Sequence, residues 1–271
     1  MTTWKSLARA IERVISEEIA NLTQDLWDEN AITFNLVRRI RPLLATNIFG
    51  DREKTAVQAR LFKARGTNVE TKFGDLAVLL LFTFRDGTSL EGVAFYESKK
   101  REWNSQKLAS IRKGQLKRIH NNLWSARLLV YDREPILSAA FEAEGQDCYD
   151  AFVERVLLDD GGLVLTHPTR APMSLPFTNA GTIPLGPVLA TGRHDTSLYK
   201  YAFPLSYQLC FRNLQGLDLD HDPEVISATM GQSRAYGVPR TTLVVSVRRG
   251  PGEGLPPVPD INEDALEPVN N

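Results

Sequence analysis

An α/β fold built on a mixed sheet is what this 271-residue sequence predicts, and three observations carry it. Residues 76–84 (LAVLLLFTF) form a continuous apolar run, the pattern of a strand covered on both faces. Asp86 and Gly87 then supply tight-turn chemistry, and residues 90–99 (LEGVAFYESK) return as a partner strand. Apolar residues at helical spacing precede this hairpin, and a basic helical stretch follows it.

Taken in order, Leu7, Ile11, Val14, Ile15, Ile19, Leu22 and Leu26 recur at helical spacing and predict a long first helix over residues 3–27. Glu18 falls inside that apolar stripe, whereas Glu17 points away from it. A carboxylate facing a core needs a partner, so Glu18 is expected either to pair with a buried arginine or to lie at an exposed end of the stripe. A second helix is expected over residues 32–41, ended by Pro42. Residues 56–62 suit a strand or a helix equally well. After the hairpin come a basic helix within residues 105–123 and a buried strand at residues 126–131 (ARLLVY). Beyond residue 150 the apolar segments shorten, at 155–165 and 241–247, among Gly and Pro.

Apolar residues at 42% and charged residues at 24% exclude wholesale disorder. Two cysteines, Cys148 and Cys210, are too few for a disulfide framework or a Cys-rich zinc site. No apolar run approaches the ~20 residues that cross a bilayer. Glu12, Glu17 and Glu18 in the opening segment argue against a signal or transit peptide, so a soluble cytoplasmic chain is expected. Residues 251–271 hold five acids, no Lys or Arg and five of the fifteen prolines, and read as a disordered acidic tail. Setting those five acids aside moves the net charge from −1 to +4. Residues 99–118 carry eight Lys or Arg against the single acid Glu102, either a solvated helix face or a phosphate-contacting surface.

Several motifs fail on inspection. Asp218, Asp220 and Asp222 are spaced like the start of a calcium loop, but Pro223 and Thr229 stand where such a loop needs Gly and Glu. The four histidines have no metal-ligand spacing, and neither a P-loop nor a GxSxG elbow is present.

The chemistry gathers on the hairpin. Val93, Phe95, Glu97 and Lys99 share one strand face, with Glu97 and Lys99 at its end. With Asp75 at the far end of the partner strand, they make a set suited to phosphodiester hydrolysis. Two carboxylates can hold Mg²⁺ or Mn²⁺, and a lysine can orient or deprotonate water and offset developing phosphate charge. Gly74-Asp75 followed by Glu97-Ser98-Lys99 resembles the PD-(D/E)xK nuclease superfamily, which includes restriction endonucleases and many phage-defence nucleases.

The resemblance spans about half the chain and implies a restriction-endonuclease-like αβββαβ core, a mixed sheet flanked by helices. It implies Asp75 and Glu97 as metal ligands and Lys99 as the catalytic lysine, with Gly74 where the family has Pro. Two looser family features match Gln115, aligned with Ile111, Ile119 and Leu123 on the following helix, and Glu18, as a third acid at the metal. Glu70 is a further acid near Asp75. Lys100, Arg101, Lys107, Arg112, Lys113, Lys117 and Arg118 would contact backbone phosphates. Trp103 either stacks on a base or caps the core.

Register is the test of this set. A two-residue Asp86-Gly87 loop pairs Asp75 with Ser98 and turns it away from Glu97. A three-residue loop or one bulge, for which Gly92 is a site, shifts the register by one and is expected to bring Asp75 opposite Lys99.

The expected organisation is a nuclease core over residues 1–134, a C-terminal α/β extension over 135–250 packed on it, and the tail. The function implied is a Mg²⁺-dependent deoxyribonuclease of bacterial anti-phage defence or restriction, acting on the DNA backbone. A homodimer suits cleavage of both strands of a duplex. The alternative is an inactive nuclease-fold binding or scaffolding subunit that works with an ATPase, a helicase or another defence-system subunit.

Overall fold

In the computed structural model, residues 2–49, 54–65, 73–109, 111–137, 164–165, 173–174, 177–233, 237–250 and 255–269 are described. Among them, one nine-stranded mixed sheet carries helices on both faces. Its strands are β1 (Thr46–Phe49), β2 (Lys54–Ala64), β3 (Leu76–Thr83), β4 (Ser89–Lys100) and β5 (Arg127–Leu137). A separate small pair, β6 (Val164–Leu165) and β7 (Met173–Ser174), comes next in the chain. The main sheet resumes with β8 (Phe177–Pro184), β9 (Phe203–Pro204), β10 (Thr241–Arg249) and β11 (Leu266–Pro268). The spatial order is β1-β2-β10-β3-β4-β5-β8-β9, with β11 on β2. Among the described strands, β10–β3 and β4–β5 pair parallel and the other pairs are antiparallel.

Helix α1 (Trp4–Ala20) opens with a reciprocal cap between Thr3 and Ser6 and buries Leu7, Ile11, Ile15 and Ile19. It ends seven residues before the expected Trp27, because Asn21 caps it and its side-chain amide donates to the Glu17 carbonyl at 2.7 Å. Leu26 is consequently exposed, whereas Trp27 folds inward and donates its indole N–H to the Arg101 carbonyl at 2.8 Å. Asp28 then caps α2 (Glu29–Ile40) by accepting from the Asn30 and Ala31 N–H groups, starting that helix three residues before Ile32.

Helices α1 and α2 cover one sheet face, packing on Leu76, Val78, Leu80, Ala94 and Tyr96. The other face, with Ala77, Leu79, Val93 and Phe95, is covered by α3 (Lys113–Asn122), α4 (Leu185–Thr191) and α5 (Pro223–Thr229). The basic helix lies within the expected residues 105–123, as α3; ahead of it, residues 105–109 and 111–112 form a loop. That loop is tied by Glu102 N–H to the Lys107 carbonyl and Ala109 N–H to the Lys100 carbonyl. The ambiguous residues 56–62 belong to β2.

Two expectations about organisation are corrected. Residues 241–249, assigned to a C-terminal extension, form β10 and lie inside the sheet between β2 and β3. Seven of its nine residues, from Thr241 to Val247, are buried, so the apolar run that ended the expected extension is core strand. The expected disordered tail is also part of the fold over residues 255–269. Leu266 and Ile261 are buried, and Leu266–Pro268 pairs with β2. Two apolar anchors and an available sheet edge outweigh the segment's acid and proline content.

The calcium-like triplet is structural. Asp222 caps α5, Asp220 pairs its backbone with Val93, and Asp218 binds Arg127 and Arg212. Cys210 is buried; Cys148 lies outside the described residues.

Candidate functional site

The hairpin that positions the site closes through a three-residue loop, Arg85-Asp86-Gly87. Phe84 N–H donates to the Thr88 carbonyl at 2.9 Å. Thr83 pairs with Ser89 and Leu76 with Tyr96. Continued one residue further without irregularity, this ladder would set Asp75 opposite Glu97 and not opposite Lys99, because the longer loop shifts the register in the other direction. Gly92 sits in a straight pair with Leu80, and no bulge forms there. It is glycine because a Cβ would come within 3 Å of the His221 ring.

The irregularity lies at the other end of β3. Asp75 N–H donates to the carbonyl of Tyr96, already the partner of Leu76, so two residues of β3 face one of β4. Gly74 makes this approach possible, with φ of +84° and a Cβ position 2.9 Å from the Tyr96 oxygen. Proline, fixed near −65°, could not occupy it. The Asp75 carboxylate, almost fully buried, accepts the Ser98 backbone N–H at 2.7 Å.

Glu97 and Lys99 end β4 and are 2% and 3% exposed. Lys99 Nζ lies 2.6 Å from Glu97 Oε1, 2.7 Å from the Ser98 carbonyl and 3.4 Å from Glu29 Oε1 at the start of α2. Gln115, on the inner face of α3, donates its amide to the same Glu97 oxygen at 2.8 Å. Burial alone would lower the Lys99 pKa, but the Glu97 and Glu29 carboxylates outweigh it and hold the ammonium charged. Burial pushes the Glu29 carboxyl up, against the opposing pull of Lys99, and its second oxygen, Oε2, is buried without a hydrogen-bond partner.

Beneath this cluster, Tyr131 donates to Thr33 Oγ1 at 2.9 Å. Thr33 in turn reaches Ser98 Oγ at 2.8 Å and the Glu29 carbonyl at 2.6 Å. This buried network ties β5, α2 and β4 together under the site, and burial raises the Tyr131 pKa, keeping it a neutral donor.

Other expected site residues are placed elsewhere. Glu18 pairs with Arg39 at 3.2 Å, on the last turn of α2. Ten residues of helix, about 15 Å of axis, separate Arg39 from Glu29. The helix acid that reaches Lys99 is therefore Glu29, which lies outside the second helix that the sequence predicts.

Lys100 turns inward and donates to the Trp27 carbonyl. Arg101 pairs with buried Asp132 at 3.1 Å and with Glu134 at 2.7 Å. Neither is a surface phosphate ligand, because the end of β4 is covered by the Trp27 turn and by β5. Lys107, Arg112, Lys113, Lys117 and Arg118 are exposed. Trp103 packs edge-on against Trp27, and the Arg133 guanidinium sits 3.7 Å over its ring, so it caps this corner of the core. These residues line a cavity of about 180 Å³. Glu70 lies outside the described residues.

A cation that the sequence did not single out also reaches the site. Arg240, the residue before β10, brings Nε to 4.0 Å from Asp75 Oδ1. Among the described residues no group of three or more His, Cys, Asp or Glu side chains converges to hold a metal ion. None of the family models, curated proteins and solved structures compared with the chain matches it.

Proposed function

We propose that this chain is a metal-dependent nuclease that hydrolyses DNA phosphodiester bonds, centred on Asp75, Glu97 and Lys99. The observation that carries the reading is the setting of the Lys99 ammonium. It is a buried cation enclosed by oxygens of Glu97, Ser98 and Glu29, and the Asp75 carboxylate is held at the intervening Ser98 N–H. Two carboxylates and a carbonyl are hard donors of the kind that Mg²⁺ or Mn²⁺ accepts, so the residues fit the ion. Asp75, Glu97 and the Ser98 carbonyl are the groups that would hold it. When bound, such an ion would polarise the scissile phosphate and lower the pKa of a bound water.

The ammonium now takes oxygens that an ion would use, so Lys99 has to withdraw from them for the site to load. With its pKa raised, Lys99 is protonated at neutral pH and is not a base in this arrangement. Its task is to offset charge building on the phosphate and to orient the nucleophile. Gln115 fixes the rotation of the Glu97 carboxylate, and the exposed bases of residues 107–118 hold backbone phosphates without reading sequence. A setting in anti-phage defence or restriction, and a homodimer for duplex cleavage, come from the family resemblance.

The second reading is an inactive nuclease-fold subunit that binds nucleic acid or scaffolds an ATPase or helicase. What favours it is the near-complete burial of Glu97 and Lys99 and the lack of a three-acid cluster among the described residues. Plasmid and single-stranded DNA incubated with Mg²⁺, with Mn²⁺ and with EDTA, alongside Lys99→Ala, decides between them. Metal-dependent cutting lost in the variant supports the nuclease. Salt-sensitive DNA binding without cutting, unchanged in the variant, supports the subunit.

A further inference from the structure

We propose that Arg240 is a substrate-contacting residue of this site: it binds a non-bridging oxygen of the phosphodiester. The substrate class rests on the nuclease reading above; the placement of the arginine does not.

The Asp75 carboxylate is bonded at the Ser98 N–H, and the Glu97 and Glu29 carboxylates flank the Lys99 ammonium, so an incoming phosphodiester meets more negative than positive charge there. Lys99 is buried and occupied by those carboxylates, which leaves it poorly placed to receive an incoming anion. The Arg240 guanidinium stands at the rim, 41% exposed, with Nε 4.0 Å from Asp75 Oδ1. The carboxylate attracts the guanidinium at that distance, and the side chain's exposure leaves a face of it toward solvent.

Its backbone is fixed from both sides. Ala64 N–H donates to the Arg240 carbonyl, and Thr241 N–H donates to the Asp75 carbonyl, each at 3.0 Å. Thr241 pairs with Lys63 on β2 and with Leu76 on β3. The arginine therefore enters at a fixed height beside the bulge that carries Asp75, on a strand supplied by residues more than 160 positions later in the chain. A planar guanidinium offers two parallel donors to a phosphate, which is the recognition that arginine performs best.

The test uses the full chain, Arg240→Gln and Arg240→Lys, with short DNA duplexes carrying either normal phosphates or one neutral methylphosphonate at successive positions. Binding is read by fluorescence anisotropy in EDTA, and hydrolysis is read separately with Mg²⁺. Arg240→Gln is expected to weaken binding about tenfold, as for one charge-assisted hydrogen-bonded contact, and to raise KM more than it lowers kcat. A methylphosphonate at the contacted position should weaken binding to the native chain but not to Arg240→Gln. Arg240→Lys should recover part of the loss.

Equal methylphosphonate sensitivity in both chains, or unchanged affinity in Arg240→Gln with only a lower melting temperature, overturns the proposal and leaves Arg240 as a structural partner of Asp75. Loss of the methylphosphonate effect in a protein that never cuts leaves Arg240 as a phosphate contact while the nuclease reading falls. A folded native chain that binds no DNA in either assay overturns the proposal.

Discussion

The Asp75 carboxylate accepts the backbone N–H of Ser98 at 2.7 Å, at the point where β3 stops pairing one-for-one with β4. Ser98 is the residue between Glu97 and Lys99, so one hydrogen bond couples the acid on β3 to both charged groups on β4. The bulge at Asp75 and the left-handed Gly74 exist to make this reach possible. A change of register would move all three groups together, which makes the hairpin's pairing part of the site.

The Glu97–Lys99 pair is buried, so its members are energetically coupled. Lys99→Met should cost about 3–5 kcal/mol by leaving carboxylate charge buried, whereas Glu97→Gln with Lys99→Met should recover part of that cost. Urea denaturation of the two single variants and the double variant measures the coupling. On the nuclease reading, Lys99→Met also lowers the cleavage rate by about 10²-fold or more.

Glu18 and Glu29 exchange the roles that their sequence positions suggest. Glu18→Ala breaks a partly exposed pair with Arg39 and should cost no more than about 1 kcal/mol, with DNA cleavage unchanged. On the nuclease reading, Glu29→Gln removes a carboxylate that faces Lys99 and should lower cleavage about tenfold, roughly the value of one charge-assisted contact. Rates of the two variants measured side by side check the assignment.

Basic residues of the same run should separate by assay. Lys113→Ala with Lys117→Ala and Arg118→Ala should weaken DNA binding and shallow its salt dependence by about one unit per lost phosphate contact, with little effect on stability. Lys100→Ala should leave the salt slope intact and lower the melting temperature, because its ammonium is bound to the Trp27 carbonyl. Anisotropy titrations across a salt series, with thermal melts of each variant, distinguish them.

Glu12 makes stability pH-dependent near neutrality. Burial raises its carboxyl from 4.5 to about 7, and its Oε2 is buried without a hydrogen-bond partner although Ser206 Oγ donates to Oε1 at 2.5 Å. Between these two values the folded chain keeps a proton that the unfolded chain has released. Stability therefore falls as pH rises through that window, by up to about 3 kcal/mol, and levels off above it. Urea denaturation at about pH 5 and about pH 8 should show the loss, and Glu12→Gln should remove it.

Much of the hairpin was legible because its signals are local. An unbroken apolar run, a turn dipeptide and a period-two face place Leu76–Thr83, Ser89–Lys100 and the Glu97–Lys99 pair before any tertiary contact is known. Gln115 was pointed to by the family resemblance, as a glutamine aligned with Ile111, Ile119 and Leu123 on the helix after the lysine strand, and it does meet Glu97. The requirement that Asp75 share a face with Glu97 called for either a three-residue loop or a bulge; the turn has the loop, and the direction of its register shift was not legible.

What the local code could not supply came from residues far apart in the chain. Glu29 looks like any acid at a helix start until α2 is packed so that its first turn meets Lys99. Glu18 fits the active-acid pattern until Arg39 is brought beside it by the packing of α1 on α2. The placement of β10 between β2 and β3, and with it Arg240 beside Asp75, depends on pairing across more than 160 residues. Periodicity and turn chemistry determine which face of an element is apolar, since those are properties of neighbouring residues. Which charges finally meet is decided by burial of that apolar surface over the whole sheet, because only the packed layers bring distant backbone within hydrogen-bonding reach.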